Sequence, residues 1–185
     1  MSRTAKIVLL NGVGSAGKSS IAKALQEVAS QPLLHVSMDV FIEMLPKTYQ
    51  EHLPGFSYDT VIDDGKPLVV IKTGPVGEQV LRGMRHAIVA MARQGNNLIV
   101  DDVLCDGEML EYRALLSDFD FHAVGVFASL DVLEERERRR GDRLPGLARW
   151  QFDRVHRDIN YDLEIETDLA TPHECAVLIK EKFLL

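Results

Sequence analysis

The first apolar run of the chain, KIVLL, is continuous rather than alternating, the pattern of a strand covered on both faces. From Ser19 to Ala29 the apolar positions Ile21, Ala24, Leu25 and Val28 recur at helical spacing. LLHVS reads as a second strand, and FIEML as a short helix stopped by Pro46. An irregular stretch is expected up to about Thr73, punctuated by Pro54, Gly55, Gly65 and Pro67, with PLVVIK as a short strand inside it. Val76 to Gln94 forms a long amphipathic helix ended by Gly95 and Asn96. NLIVDD is another buried strand, GEMLEYRALL a helix and FHAVGVF a strand. Helices are expected again over Leu130–Arg140 and Ala148–Arg157, then DLEIE as the last strand and HECAVLIKEKFLL as the closing helix. Strands alternating with helices predict an α/β fold, a parallel sheet layered between helices with ligands at the carboxyl ends of its strands. Neither a linker nor a second apolar unit interrupts the pattern, so residues 1–185 read as one domain.

Composition narrows the partners. A net charge of −7 leaves no broad basic surface for nucleic acid. No stretch approaches membrane-span length, and the apolar run Ile7–Leu10 is too short for a signal-peptide core. Cys105 and Cys175 have no CxxC partner and no metal-ligand spacing, which fits a soluble, cytoplasmic, reduced protein. The choice between monomer and homo-oligomer stays open.

Between the first strand and the first helix lies GVGSAGKSS, in which Gly12, Gly17, Lys18 and Ser19 complete GxxxxGK[ST]. Glycines there let successive N–H groups converge on phosphate oxygens, and the following helix adds the positive end of its dipole. Gly12, Val13, Gly14, Ser15, Ala16, Gly17, Lys18, Ser19 and Ser20 are the expected nucleotide-binding residues. Lys18 would reach the β- and γ-phosphates and Ser19 would bind Mg²⁺. The bland alternative, a glycine-rich turn that happens to contain Lys-Ser, does not account for its placement between strand and helix.

Asp39 follows the second strand and should emerge at the same sheet edge. It could accept the proton of an acceptor hydroxyl, or simply cap the short helix VFIEML. Asp101 ends an apolar strand, the Walker B pattern for holding Mg²⁺, while Asp102 would point to the opposite face; an acid capping the next loop is the alternative. In LEERERRRGDR, Arg136 and Arg140 share one helix face and Arg143 lies just past Gly141. These three could neutralise charge as a phosphoryl group leaves. Arg138 and Arg139 read better as solvated partners of Glu134, Glu135 and Glu137.

LNGVGSAGKSS, VSMDVFIEMLP, AIVAMARQGNNLIVDDV, RERRRGDR and VHRDINYDLEIET, in this order over residues 9–167, resemble the chloramphenicol phosphotransferase-like family of P-loop kinases. The resemblance implies an ATP-dependent kinase acting on a hydroxyl of a small molecule. It also implies a nucleotide-kinase-like three-layer sandwich, with a five-stranded parallel sheet and a short arginine-bearing lid over about 136–147. The acid matching Asp39 is the family's base, and the arginines matching Arg136, Arg140 and Arg143 belong to its lid. Gly14 stands where the family often has serine. The segment Lys47–Gly74, within an acceptor-binding region of about 40–75, departs from the family pattern, so the resemblance carries the reaction type rather than the acceptor.

No arginine occurs between Thr4 and Leu81, which argues for a neutral acceptor, since acceptor phosphates are commonly clamped by arginine forks; Arg82 and Arg85 temper that argument. Phe41, Tyr49, Phe56 and Tyr58 could wall an apolar ligand, or pack the segment onto the core. His35 reads as a core or edge residue, Cys105 as a small hydrophobe beside the pocket, and ETDLATP, by analogy, as the adenine region. A nucleoside or nucleotide kinase of the same fold, and a non-catalytic nucleotide-binding switch, are the competing readings.

Overall fold

The computed structural model of the chain describes residues 4–141 and 144–185. β1 (Lys6–Asn11) runs through the glycine loop into α1 (Lys18–Val28) and β2 (Leu33–Ser37). Two short helices, α2 (Met38–Glu43) and α3 (Lys47–Glu51), precede the strands β3 (Phe56–Asp63) and β4 (Lys66–Thr73). Then come α4 (Pro75–Arg93), β5 (Asn97–Asp102), α5 (Glu108–Leu115), β6 (Asp120–Phe127) and α6 (Leu130–Arg140). α7 (Leu147–Phe152), β7 (Leu163–Glu166) and α8 (Pro172–Phe183) close the chain.

Five strands form one parallel sheet in the order β2-β5-β1-β6-β7. Because side chains alternate along a strand, β1 feeds two cores. Val8 and Leu10 pack with Ile21, Leu25 and Ile179 of α1 and α8, while Ile7 and Leu9 pack with Met84, Ile88 and Tyr112 of α4 and α5. Full burial of such aliphatic side chains contributes about 1.5–3 kcal/mol each, so the central strand is a fixed platform for the glycine loop at its end.

The connection leaving β1 runs to one side of the sheet, to β2, and the connection leaving β5 crosses to the other side, to β6. A crevice therefore opens between the carboxyl ends of β1 and β5. The register makes those ends level: Asn11 lies opposite Asp102, and both Leu10 and Ser37 lie opposite Asp101.

Within the stretch expected to be irregular, PLVVIK forms a strand as expected, and the residues before it are ordered as well. β3 and β4 pair antiparallel over their full lengths, separated by Asp64 and Gly65. Both turn residues have positive φ (47° and 73°), the conformation in which a two-residue turn matches the twist of the flanking strands. Phe56 and Val69 are buried on one face of this hairpin, and the Val69 N–H donates to the Gly146 carbonyl at 3.1 Å, tying the hairpin to the start of α7. A second correction concerns α7, which ends at Phe152 rather than near Arg157; the chain then runs through turns before β7.

Candidate active site

A cavity of about 360 Å³ lies over the carboxyl ends of β1, β2 and β5. Gly14 to Ser20 form one wall; Ser37, Met38, Asp39 and Asp101 another; Arg136, Arg140 and Gln151 a third, with Thr167, Ala170, Pro172 and Cys175 closing it. Gly12 is required by packing: a Cβ there would lie 2.4 Å from the Val126 carbonyl of neighbouring β6. Gly17, at φ 100°, turns the chain into α1 in a backbone conformation that a side chain disfavours.

Lys18 is buried, its ammonium donating to the carbonyls of Gly12 (2.7 Å) and Val13 (3.1 Å) and standing 3.9 Å from Asp101. The Ser19 hydroxyl donates to Asp101 Oδ2 at 2.6 Å. His35 Nε2, buried, approaches the same oxygen at 3.6 Å. Burial pushes the Asp101 carboxyl up, but His35, the Lys18 ammonium and the Ser19 hydroxyl outweigh it and hold the group below its ordinary range. An ionised carboxylate beside a hydroxyl is a pair of hard oxygen donors, and no group of three or more His, Cys, Asp or Glu among the described residues could cage an ion. That set fits Mg²⁺, which takes few protein ligands and fills its remaining positions with phosphate oxygens and water.

Asp39 lies in the first turn of α2, behind Ser37 at the N-cap position. It is not the cap, so the capping alternative is set aside, and its side chain lines the cavity. Arg136 is fixed by donating to Thr167 Oγ1 (2.9 Å) and the Thr167 carbonyl (2.8 Å), which joins α6 to the loop after β7. Arg140 lines the cavity too, whereas Arg143 lies outside the described residues. Thr167, Ala170 and Pro172, from the ETDLATP stretch, share this cavity.

Other expectations change. Glu135 pairs with Arg138 and Arg139 of its own helix, whereas Glu134 binds Arg149. Glu137, 4% exposed, turns away from α6 and accepts from the N–H groups of Gly146 and Ala148, both at 2.8 Å. It therefore holds the start of α7. Glu137→Ala strands two buried donors and is expected to cost roughly 3 kcal/mol, a fall of roughly 10 °C in thermal midpoint for a domain of this size; a scanning calorimetric comparison checks it.

Phe41, Tyr49, Phe56 and Tyr58 are not among the described residues lining the cavity. Phe56 is buried at the hairpin base and Phe41 packs against the α4 core, so they secure the segment to the domain. Cys175 rather than Cys105 reaches the cavity wall.

Asp102 faces the opposite side of β5, as alternation requires. It is buried, accepts from the Tyr112 hydroxyl at 2.7 Å and from the Val103 N–H at 2.8 Å, and burial pushes its carboxyl up to about 6 despite those bonds. The folded state therefore binds this proton more tightly than the unfolded chain does. The group costs stability progressively as pH rises from its ordinary 3.8, with the full cost reached above about 6. Two pKa units correspond to roughly 3 kcal/mol. Asp102→Asn removes the charge: its amide oxygen can accept from the Val103 N–H, while its nitrogen donates to the Tyr112 hydroxyl, which then acts as acceptor. The variant is expected to match the parent near pH 4 and exceed its stability near pH 8, by up to that amount; denaturant unfolding at the two pH values measures it. An equal difference at both would contradict the assignment.

Sequence reasoning missed Asn11 and Gln151 here, and reached Thr167 only as part of the ETDLATP stretch. Asn11 accepts from the Leu104 N–H and donates to the Val155 carbonyl and Tyr161 hydroxyl, sealing the crevice from below. Thr167 and Gln151 reach the loop from distant segments. Among the described residues no helix is long and apolar enough to cross a membrane.

Residues 5–184 match the family model described as "Chloramphenicol phosphotransferase-like protein". Two curated proteins from strains CDC 1551 and H37Rv of Mycobacterium tuberculosis, each named "Putative O-phosphotransferase", are 32% identical over 184 residues, covering 96% of this chain and 82% of theirs. Among solved structures, the Mycobacterium tuberculosis APS kinase in complex with AMPPNP and APS superposes with a TM-score of 0.67 at 17% identity, covering 99% of each chain. A gluconokinase from Sinorhizobium meliloti 1021 gives 0.65 at 16%, covering 100% of this chain and 94% of its own. The Deinococcus radiodurans tunicamycin resistance protein gives 0.64 at 20%, covering 96% and 95%. At these identities the structural likenesses speak to the fold.

Proposed function

The chain belongs to the chloramphenicol phosphotransferase-like family, and on that premise we propose that it transfers the γ-phosphoryl group of MgATP to a hydroxyl of a neutral small molecule. It is a phosphotransferase enzyme with the P-loop kinase fold. The finer reading is carried by one observation. A single wall-to-wall cavity joins the phosphate loop, the Ser19–Asp101 pair, Arg136 and Arg140 to Asp39.

In this reading Asp39 accepts the proton of the acceptor hydroxyl as its oxygen bonds to the γ-phosphorus. The bond from that phosphorus to the β–γ bridging oxygen breaks, and ADP leaves with the electron pair. Free backbone N–H groups of the loop between Gly12 and Ser20 hold the phosphates, while Lys18, Arg136, Arg140 and Arg143 oppose the charge on the moving group. Ser19 and Asp101 are the residues to hold magnesium, which supplies charge neutralisation on the phosphate oxygens when bound.

A neutral acceptor is supported by the lack of arginine between Thr4 and Leu81 and by the pairing of two nearby cations. Arg85 is buried with its Nε 2.7 Å from Glu111, and Lys72 stands 2.7 Å from Asp59. A nucleoside monophosphate kinase would want such a fork open to the acceptor phosphate. A pure nucleotide switch has no use for Asp39. A cytoplasmic location, with ATP at hand and both cysteines free, goes with this reading.

The test is ADP release from MgATP with chloramphenicol, other hydroxylated antibiotics, nucleosides and nucleoside monophosphates as acceptors. Acceleration by a neutral alcohol is expected. Acceleration by monophosphates alone would move the enzyme to the nucleotide kinases, and slow turnover indifferent to every acceptor would favour the switch.

A further inference from the structure

Gln151 sits on α7, 4% exposed, with its Oε1 accepting from the Gly14 N–H at 2.7 Å. A backbone N–H can only donate, so the carbonyl end of this amide faces the loop and the nitrogen end is turned away. Among the described residues Nε2 makes no hydrogen bond, yet Gln151 forms part of the cavity wall. Nε2 is not among the buried side-chain atoms left without a partner, so its two donors are open to the cavity that Gln151 lines and are available to an anionic ligand there.

The side chain is also held from behind. Gln151 belongs to the helix whose start is fixed by Glu137 from α6 and by Val69 of the hairpin. Its backbone carbonyl accepts from Arg154 and Val155, so α7 presents the amide from a braced position.

We propose that Gln151 is a further catalytic residue that extends the phosphate loop. Its carbonyl takes up the Gly14 N–H, and its two amide N–H donors reach the terminal phosphoryl group of the bound triphosphate. The inference rests on the reading of this cavity as a nucleoside triphosphate site. The loop's donor is thereby relayed outward through a polarised amide, toward the group on which charge develops during transfer.

Two variants separate this role from that of a clamp. Gln151→Glu needs no new space: it keeps an oxygen for the Gly14 N–H while replacing the donors by a second, repelling oxygen. Gln151→Ala removes both ends. Affinities for MgADP and for MgAMPPNP, the triphosphate analogue, are measured by calorimetry alongside the transfer rate. Loss of loop shape weakens both nucleotides alike, whereas loss of a terminal-phosphate contact weakens only the triphosphate.

Both variants are expected to bind MgAMPPNP about 10- to 100-fold more weakly relative to MgADP, with a comparable fall in kcat. An unchanged ratio of the two affinities in either variant overturns the proposal and leaves Gln151 as a brace for the loop. If the parent protein phosphorylates no acceptor, the functional reading fails separately, and the ratio still decides what Gln151 touches.

Discussion

Asp39→Asn is expected to lower the rate of phosphoryl transfer by about 100- to 10,000-fold while MgATP binds almost as before. The substitution preserves the size and shape of the side chain and removes its capacity to take a proton. Ser37 rather than Asp39 occupies the N-cap of α2, so the start of that helix does not depend on the carboxylate. The nucleotide-facing groups belong to other elements: Lys18 and Ser19 to α1, Asp101 to β5 and Arg136 to α6. A deficit concentrated in kcat, with nucleotide affinity measured separately by calorimetry, is therefore the signature of a base. Transfer at the parent rate would remove Asp39 from that role.

Lys18→Met is expected to reduce kcat/KM by about 100- to 1,000-fold, and here nucleotide affinity falls as well. The ammonium is the only charged group described that donates to the Gly12 and Val13 carbonyls, and it stands 3.9 Å from Asp101. Methionine fills the space of the stem but leaves the loop without that positive charge. It also removes one of the influences that keep the Asp101 carboxyl low, so affinity for magnesium with the nucleotide should weaken in parallel. Steady-state kinetics over a range of Mg²⁺ and ATP concentrations read both effects. A variant with parent kinetics would show that the buried lysine only supports the loop.

The features legible in the chain and those hidden from it divide along a physical line. The strand-to-loop-to-helix passage from Lys6 to Val28 was legible because each part rests on local chemistry: a continuous apolar run, a glycine turn, then helical spacing. The opposed directions of Asp101 and Asp102 followed from the two-residue period of a strand alone. The β3–β4 hairpin had a local signal too, Asp64-Gly65 between two β-branched runs, but Pro67 and the charges at Asp59, Asp63 and Lys66 broke up its apolar pattern. Glu137 was misread because its charge pattern suits a helix surface, while its partners are backbone N–H groups that reach it only once the chain folds back into α7. Gln151 carried no signal at all. Its contact with Gly14 spans 137 positions and exists only because α7 is braced between α6 and the hairpin. Phe41 and Phe56 of the acceptor segment failed in the opposite way: their composition suggested a ligand wall, and the fold spends them on attaching that segment to the core.

The most direct measurement is mass spectrometry of the acceptor panel after incubation with the purified protein and MgATP. A neutral alcohol gaining one phosphoryl group on its hydroxyl, with ADP formed in equal amount, is the expected result. Terminal phosphate recovered entirely as inorganic phosphate, at a rate that no acceptor and no substitution of Asp39 changes, would contradict it.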